Sequence, residues 1–505
     1  MSNRGRVIGE RSPLQKTNLV GYAILALITL VVVYFTRPLW HIIAFDLIYL
    51  NLVFFALAVV VGALYLFAGH KGTVTIAGGA MLVVVGALLL TFGGALSGAY
   101  LVSDIHPNEL KGLPETTGIR YLPAEVAHTT TKTTMNDPLY VPGDTHPFDF
   151  RGELSYITPR VPNGIVNVFT RNANGALVIY ANGTQKIIDQ QFKYGEGMLV
   201  TDDIYWQMYT REYWSTIPQV YYVLDDESNE LLAVAPYIKF DFVFPVFVPK
   251  WGGVFVTHGS GQIEDLTPEQ AMSDPRFVGQ RLYPEDLARM IGESWQFRNG
   301  IWNAFFVHYD QPELADASGA GNLMPYLIPV NGGFAWFNGF KPYGESESIY
   351  KIQFFDAHTG AISMYDVPAN LNLCGPAKAI SFVKTANPSY DWEKSIKAIE
   401  PRPIVKKDGT LYWQISITNE DFAGLSKTVL VHSVINSNNN AQILSFDSYD
   451  QIVAFLAGTK IPAAGATQMP GTTQVTVALN VKNMTNKQIV DTMQRLSVEL
   501  SSRQF

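Results

Sequence analysis

One cysteine, Cys374, occurs in 505 residues. A monomer therefore has no intramolecular disulfide, and zinc centres built on cysteine are excluded. The nine histidines show none of the HxH, HxxxH or HExxH spacings that place two imidazoles on one metal. Charge is scarce as well: 36 basic and 44 acidic residues make up 16% of the chain, against roughly 25% in average soluble domains. The net charge of −8 lacks the concentrated basic surface that nucleic acid requires. No GxSxG elbow is present, so the His258-Gly259-Ser260-Gly261 stretch lacks the context of a serine hydrolase, and an enzyme near His258 is the least favoured reading.

The shortage of charge is uneven. Residues 1–103 carry six basic and two acidic residues, while residues 104–505 carry 30 basic and 42 acidic. Three apolar runs fill the first part, at residues 18–36, 47–68 and 72–102. Nineteen residues cross a hydrocarbon core of about 30 Å, and the 31-residue third run is long enough to tilt or to extend beyond it. Tight helical hairpins are expected at Arg37-Pro38 and around Lys71. Tyr34, Trp40 and Tyr100 stand near run ends, where amphipathic rings favour the interface. No small-x-small site follows the first run, which reads as a retained anchor and not a signal peptide.

Arg4, Arg6, Arg11, Lys16 and Lys71 lie on one side, against Arg37, Lys111 and Arg120 on the other. This bias puts the N-terminus in the cytoplasm and residues 104–505 outside. Gly79, Gly86 and Gly93 at heptad spacing, with the GxxxG of Gly94 and Gly98, suit close helix packing, within the hairpin or between subunits.

Beyond the membrane segment, eight prolines and the run Thr129-Thr130-Thr131-Lys132-Thr133-Thr134 make residues 104–165 read as an irregular connection. Short strands then dominate residues 166–457. One hairpin is expected across Asn172-Ala173-Asn174-Gly175, linking strands at residues 164–170 and 176–180. A pattern recurs three times: Asp202-Asp203-Ile204-Tyr205-Trp206, then Gly332-Gly333-Phe334-Ala335-Trp336, then Asp408-Gly409-Thr410-Leu411-Tyr412-Trp413. Second hairpins follow at Asp225, Asp356 and Asn436, which lie 19, 20 and 23 residues after the tryptophans and imply duplicated units. Helices are expected after Thr267-Pro268, from Pro284, from Gly375-Pro376 and from Asp450. A linker follows, then a strand and a C-terminal helix opened by the Thr485/Gln488 capping box, within residues 458–505. The expected fold is thus a cytoplasmic tail (1–18), a three-helix transmembrane segment (19–103) and an α+β, mainly antiparallel ectodomain with internal hairpin repeats.

The Asp408-Gly409-Thr410-Leu411-Tyr412-Trp413 hairpin and the Asp356-Ala357-His358-Thr359-Gly360-Ala361-Ile362 turn resemble the PepSY-type module, a small αβ unit of extracytoplasmic proteins. The first copy departs from it in lacking the glycines. The resemblance implies a non-catalytic module tied in that family to peptidase control or the cell envelope, and it transfers no catalytic residue.

Fourteen aromatics fall between Tyr205 and Phe255, and residues 240–247 alternate like a strand with one aromatic face. Trp206, Trp214, Trp251, Trp336 and Trp413 are the candidate binding surface. The acidic turn from Asp225 to Glu230 offers oxygen ligands without the EF-hand spacing. Asn182 and Asn483 head sequons. No catalytic residue, metal or cofactor is assigned. The expected function is membrane-anchored binding, assembly or envelope structure, with the lipid bilayer and a protein partner or self-association as partners. Regulation of an envelope peptidase is the alternative.

Overall fold

The computed structural model describes residues 13–49, 56, 59–64 and 73–458, apart from 151–152, 181–182, 226, 320, 331 and 437–439. Most of the second apolar run, Arg4, Arg6, Arg11 and Lys71, both sequon asparagines and the expected C-terminal strand and helix lie outside the described residues, and the end of the expected tail, including Lys16, belongs to the helix Pro13–Phe35.

Ala124–Thr134, Ile204–Arg211, Glu285–Ser294 and Pro376–Ala386 are helices that start 80, 81 and 91 residues apart. Each leads into an antiparallel meander of four strands, giving four modules. In the first three, a short strand and the first full strand share one edge of a long second strand: Tyr140–Pro142 and His146–Phe150 on Glu153–Pro162, Ser215–Thr216 and Tyr221–Leu224 on Leu231–Val243, Pro312–Leu314 and Tyr326–Val330 on Gly333–Pro342. In the fourth, both pieces merge into Ile396–Val405, whose pairing with Leu411–Asn419 breaks between Ile399 and Arg402. Third and fourth strands follow in each sheet, and in the third module Asn108–Glu109 adds a parallel edge strand beside Ile362–Asp366.

Every helix covers its own sheet with small and branched residues at helical spacing. Ala127 meets Tyr156, Leu177 and Ile179. Ile204 and Met208 meet Tyr222, Leu231 and Ala233. Leu287, Ala288 and Ile291 meet Trp336, Phe340 and Phe355. Both faces of the central strands are covered: Leu231, Ala233 and Ala235 join one core while Leu232 and Val234 join another, the period-2 pattern of a strand buried on two sides. Successive modules share cores, first with second through Phe148 and Tyr222, second with third through Trp251 and Trp336. Trp413 packs edge-on against Tyr326 and Phe337, joining third to fourth. Gln414 donates to the Arg120 carbonyl and Glu400 accepts from Ala124 N–H, closing fourth onto first.

The sequence expectations need several corrections. Four helix-plus-meander units replace the three repeats, because the Asp203 carboxylate caps a helix where an aromatic strand was expected. It accepts from Tyr205 and Trp206 N–H at 2.9 and 3.2 Å, and Ile204 and Met208 turn inward together. The Asp225 turn is consequently the first hairpin of its module, not the second. The stretch 104–165 is not irregular: it holds the whole helix and most of the sheet of the first module, and the threonine run is helical because Ala127 and Thr131 are buried against that sheet. Gly164–Thr170 is a short exposed helix, and Asn174-Gly175 forms a bulge inside Ala173–Ile179, with Gly175 at φ 67°. Residues 240–247 are a hairpin tip and not a continuous strand.

One helix among the described residues is long and apolar enough to cross a membrane, Ala80–Ser103 within Thr73–Ser103. Gly21–Phe35 and Arg37–Tyr49 form a pair bent by 75° at Arg37-Pro38, in place of the expected hairpin reversal. Thr73–Ser103 changes character along its length. Met81, Val84, Leu88 and Phe92 are exposed, whereas Gly93, Gly98 and Val102 are buried. The upper third is built into the body: Ser97 Oγ donates to the Phe247 carbonyl, Val102 joins the third-module core, and Arg298 caps the helix end on the Val102 carbonyl at 2.6 Å.

Candidate functional site

The closed circuit brings equivalent positions together. The first ladder residue of the first strand in each module is polar or aromatic: His146, Tyr221, Tyr326 and, after the register break, Arg402. His146, Tyr221 and Tyr326 are 2% exposed or less. Arginines fill the space between these rings. Arg281, from the connection between second and third modules, stacks 4.6 Å over Tyr221 and 5.9 Å from Trp336, while Arg402 lies 5.1 Å over Tyr326. Arg120 donates to Tyr156 Oη and faces Glu400 at 3.7 Å. Glu400 is shared with Arg402 at 3.2 Å, and its backbone sits in the left-handed region at φ 49°.

The charges at this junction are not fully compensated. Arg281 reaches Gln219 Oε1 at 3.4 Å and Glu285 only at 4.0 Å, and its Nε has no partner. Burial, together with the Arg281 charge, holds the His146 pKa well below the usual histidine range, so its ring is neutral and adds no counter-charge. Beside Arg281 a cavity of about 180 Å³ opens between second and third modules, lined by Gln219, Tyr221, Arg281, Glu285, Asp286 and Trp336 among others.

The residues singled out by sequence are distributed differently. Trp336 and Trp413 are core residues at 2% and 0% exposure, and their indole N–H groups donate to the Tyr283 and Cys374 carbonyls. Trp413 presents no face to a partner, because the strand carrying it is covered on both sides, and Trp336 shows only an edge to the cavity beside Arg281. Trp206 and Trp251 are half-buried, and only Trp214, at 55%, offers a ring to solvent. Gly98 approaches Phe297 and Ser294 of the body so closely that a Cβ would meet them at 2.9 Å, while a Cβ on Gly94 would meet nothing within 4 Å. Gly86 and Gly93 are buried, and Gly79 lies on the same helix.

His258 is held between two carboxylates, Nδ1 to Glu230 at 2.9 Å and Nε2 to Glu264 at 2.7 Å. Burial opposes its protonation, but these bonds prevail and raise its pKa. Both nitrogens are occupied, and Ser260 Oγ accepts from Gln262 N–H, so the pair does not form a nucleophile and base. The group instead clamps the Asp225 turn to the last strand of its module, backed by Arg276 on Glu264. Among the described residues no group of three or more His, Cys, Asp or Glu is placed to hold a metal.

Sequence reading missed the junction, since its residues are scattered from 120 to 402. The available signal was a histidine or tyrosine opening three strands, at His146, Tyr221 and Tyr326. Compared with protein-family models, with curated proteins and with solved structures, the chain matches none.

Proposed function

We propose that this chain is a membrane-anchored protein whose four-module body stands outside the cytoplasm and binds or assembles with partners without catalysis. The supporting observation is the change of character along Thr73–Ser103. Residues 73–91 rise about 28 Å at 1.5 Å per residue, the thickness of a hydrocarbon core. Immediately above them the helix enters the body, and two apolar loops flank the crossing point. Phe305 packs on Phe92 beside Trp302 and Phe306, 71% and 63% exposed, and the hairpin tip bearing Phe242 and Phe244, 52% and 80% exposed, adjoins Phe247. Such a girdle suits the level where the bilayer meets water. The excess length of the third apolar run belongs to the body and not to tilt.

In this reading the spans number three. Residues 18–36 supply the first, residues 47–68 the second, and the N-terminus is cytoplasmic by its basic excess. Retention of the full chain in membranes through alkaline extraction tests the anchor, and release into the soluble fraction would remove it.

A further inference from the structure

We propose that the cavity between second and third modules binds a small zwitterion of amino-acid type, with its carboxylate on Arg281 and Tyr221 and its ammonium group at the Glu285–Asp286 rim. This goes beyond membrane anchoring and does not depend on which side of the membrane the body faces.

Three features point to a carboxylate. First, Arg281 is 6% exposed and carries five N–H donors, yet its one hydrogen bond is long and its Nε has none. A buried guanidinium left with open donors is costly, and a planar carboxylate matches its fork in two parallel bonds. Second, Tyr221 Oη, on a side chain 2% exposed, lines the same cavity without a hydrogen-bond partner. Third, the ten-residue helix Glu285–Ser294 begins at the cavity with Pro284 as its N-cap, which supplies no side-chain acceptor to the first amides. The positive end of that helix favours an anion.

The acidic rim argues against a simple anion. Glu285 and Asp286 stand at the rim, and a ligand without a cation would face both carboxylates. An ammonium group next to the bound carboxylate turns that repulsion into attraction. The remaining walls are Gln219, Tyr283, Trp336 and three prolines, and the apolar ones among them accommodate an aliphatic side chain. A volume of about 180 Å³ takes a small molecule and excludes a folded polypeptide segment.

The test is calorimetric titration of the detergent-solubilised full chain with L-leucine, N-acetyl-L-leucine and L-leucinamide. Saturable binding of L-leucine is expected, with each blocked analogue at least about tenfold weaker, or about 1.4 kcal/mol. Tyr221→Phe keeps the ring under Arg281 and removes only the hydroxyl. It should weaken L-leucine binding about tenfold while the melting temperature stays unchanged. Arg281→Lys should abolish binding, and Tyr221→Phe keeps the test decisive where that variant does not fold. Absence of saturable L-leucine binding at millimolar concentration, or unchanged affinity in Tyr221→Phe, would overturn the proposal. N-acetyl-L-leucine binding as tightly as L-leucine would overturn the zwitterion assignment.

Discussion

Replacing Gly98 by alanine adds one methyl group where the membrane helix meets the body. That carbon would lie 2.9 Å from Phe297 Cδ2 and 2.9 Å from Ser294 Oγ. Neither neighbour moves freely, because Phe297 belongs to the turn Trp295–Phe297 and packs toward Phe305, while Ser294 ends a helix inside the third module. Overpacking of this kind costs about 1–3 kcal/mol. Gly94→Ala, one turn away, meets nothing within 4 Å and gains up to about 1 kcal/mol of helix propensity. The propensity gain is common to both substitutions, so the two variants differ by the overpacking alone, about 1–3 kcal/mol, although the chemical change is the same. In detergent, the near-UV circular dichroism melt of Gly98→Ala should fall by several degrees, while that of Gly94→Ala holds or rises. Trypsin should also cut earlier at Arg298, which caps the helix end. Equal stability of Gly98→Ala and wild type, or loss of stability in Gly94→Ala instead, would refute the packing of this helix face against the body.

Three further outcomes are expected. Trp413→Ala should cost about 3–5 kcal/mol in thermal melting because the ring is fully buried between two modules, whereas Trp214→Ala, half-exposed, should stay within about 0.5 kcal/mol. Burial pushes the Glu196 carboxyl up to about 8, so the folded chain holds a proton that the unfolded chain gives up from its ordinary range near 4.5. That stability is present in full below the unfolded value and is lost as pH rises toward 8. Glu196→Gln should accordingly gain on wild type between pH 5 and 8, and a pH-independent difference in melting temperature would count against the burial of this carboxyl. In vesicles, a spin label at Phe244→Cys in a Cys374→Ser background should be more accessible to oxygen than to an aqueous nickel reagent; equal accessibility would place the hairpin tip in water.

Local chemistry made much of the fold legible. Thr267 and Gln270 form the capping box their spacing implies, and Pro376 opens its helix at the first turn. Asp408-Gly409 and Asp356 with Gly360 turn the hairpins expected of them, each glycine at positive φ. Legibility fails where tertiary packing overrides local preference. The five threonines within 129–134 disfavour helix, but the sheet beneath holds the segment in one. Asp202-Asp203 reads as a turn, and only the inward pair Ile204 and Met208 shows that Asp203 is a cap. The junction is the least legible part, because Arg120, His146, Tyr221, Arg281 and Arg402 come from far apart in the chain and meet only through packing between modules. The low charge of residues 104–505 is explained in part by strands covered on both faces, such as Leu411–Asn419, which leave few positions for charge.

The most direct test of the anchored, outward-facing body is labelling of a single new cysteine in intact cells. Asp408 sits at an exposed hairpin tip, and the native Cys374 is buried and silent. A membrane-impermeant maleimide should label Asp408→Cys in intact cells and Ser2→Cys only after lysis. Labelling of Asp408→Cys only after lysis would contradict the account.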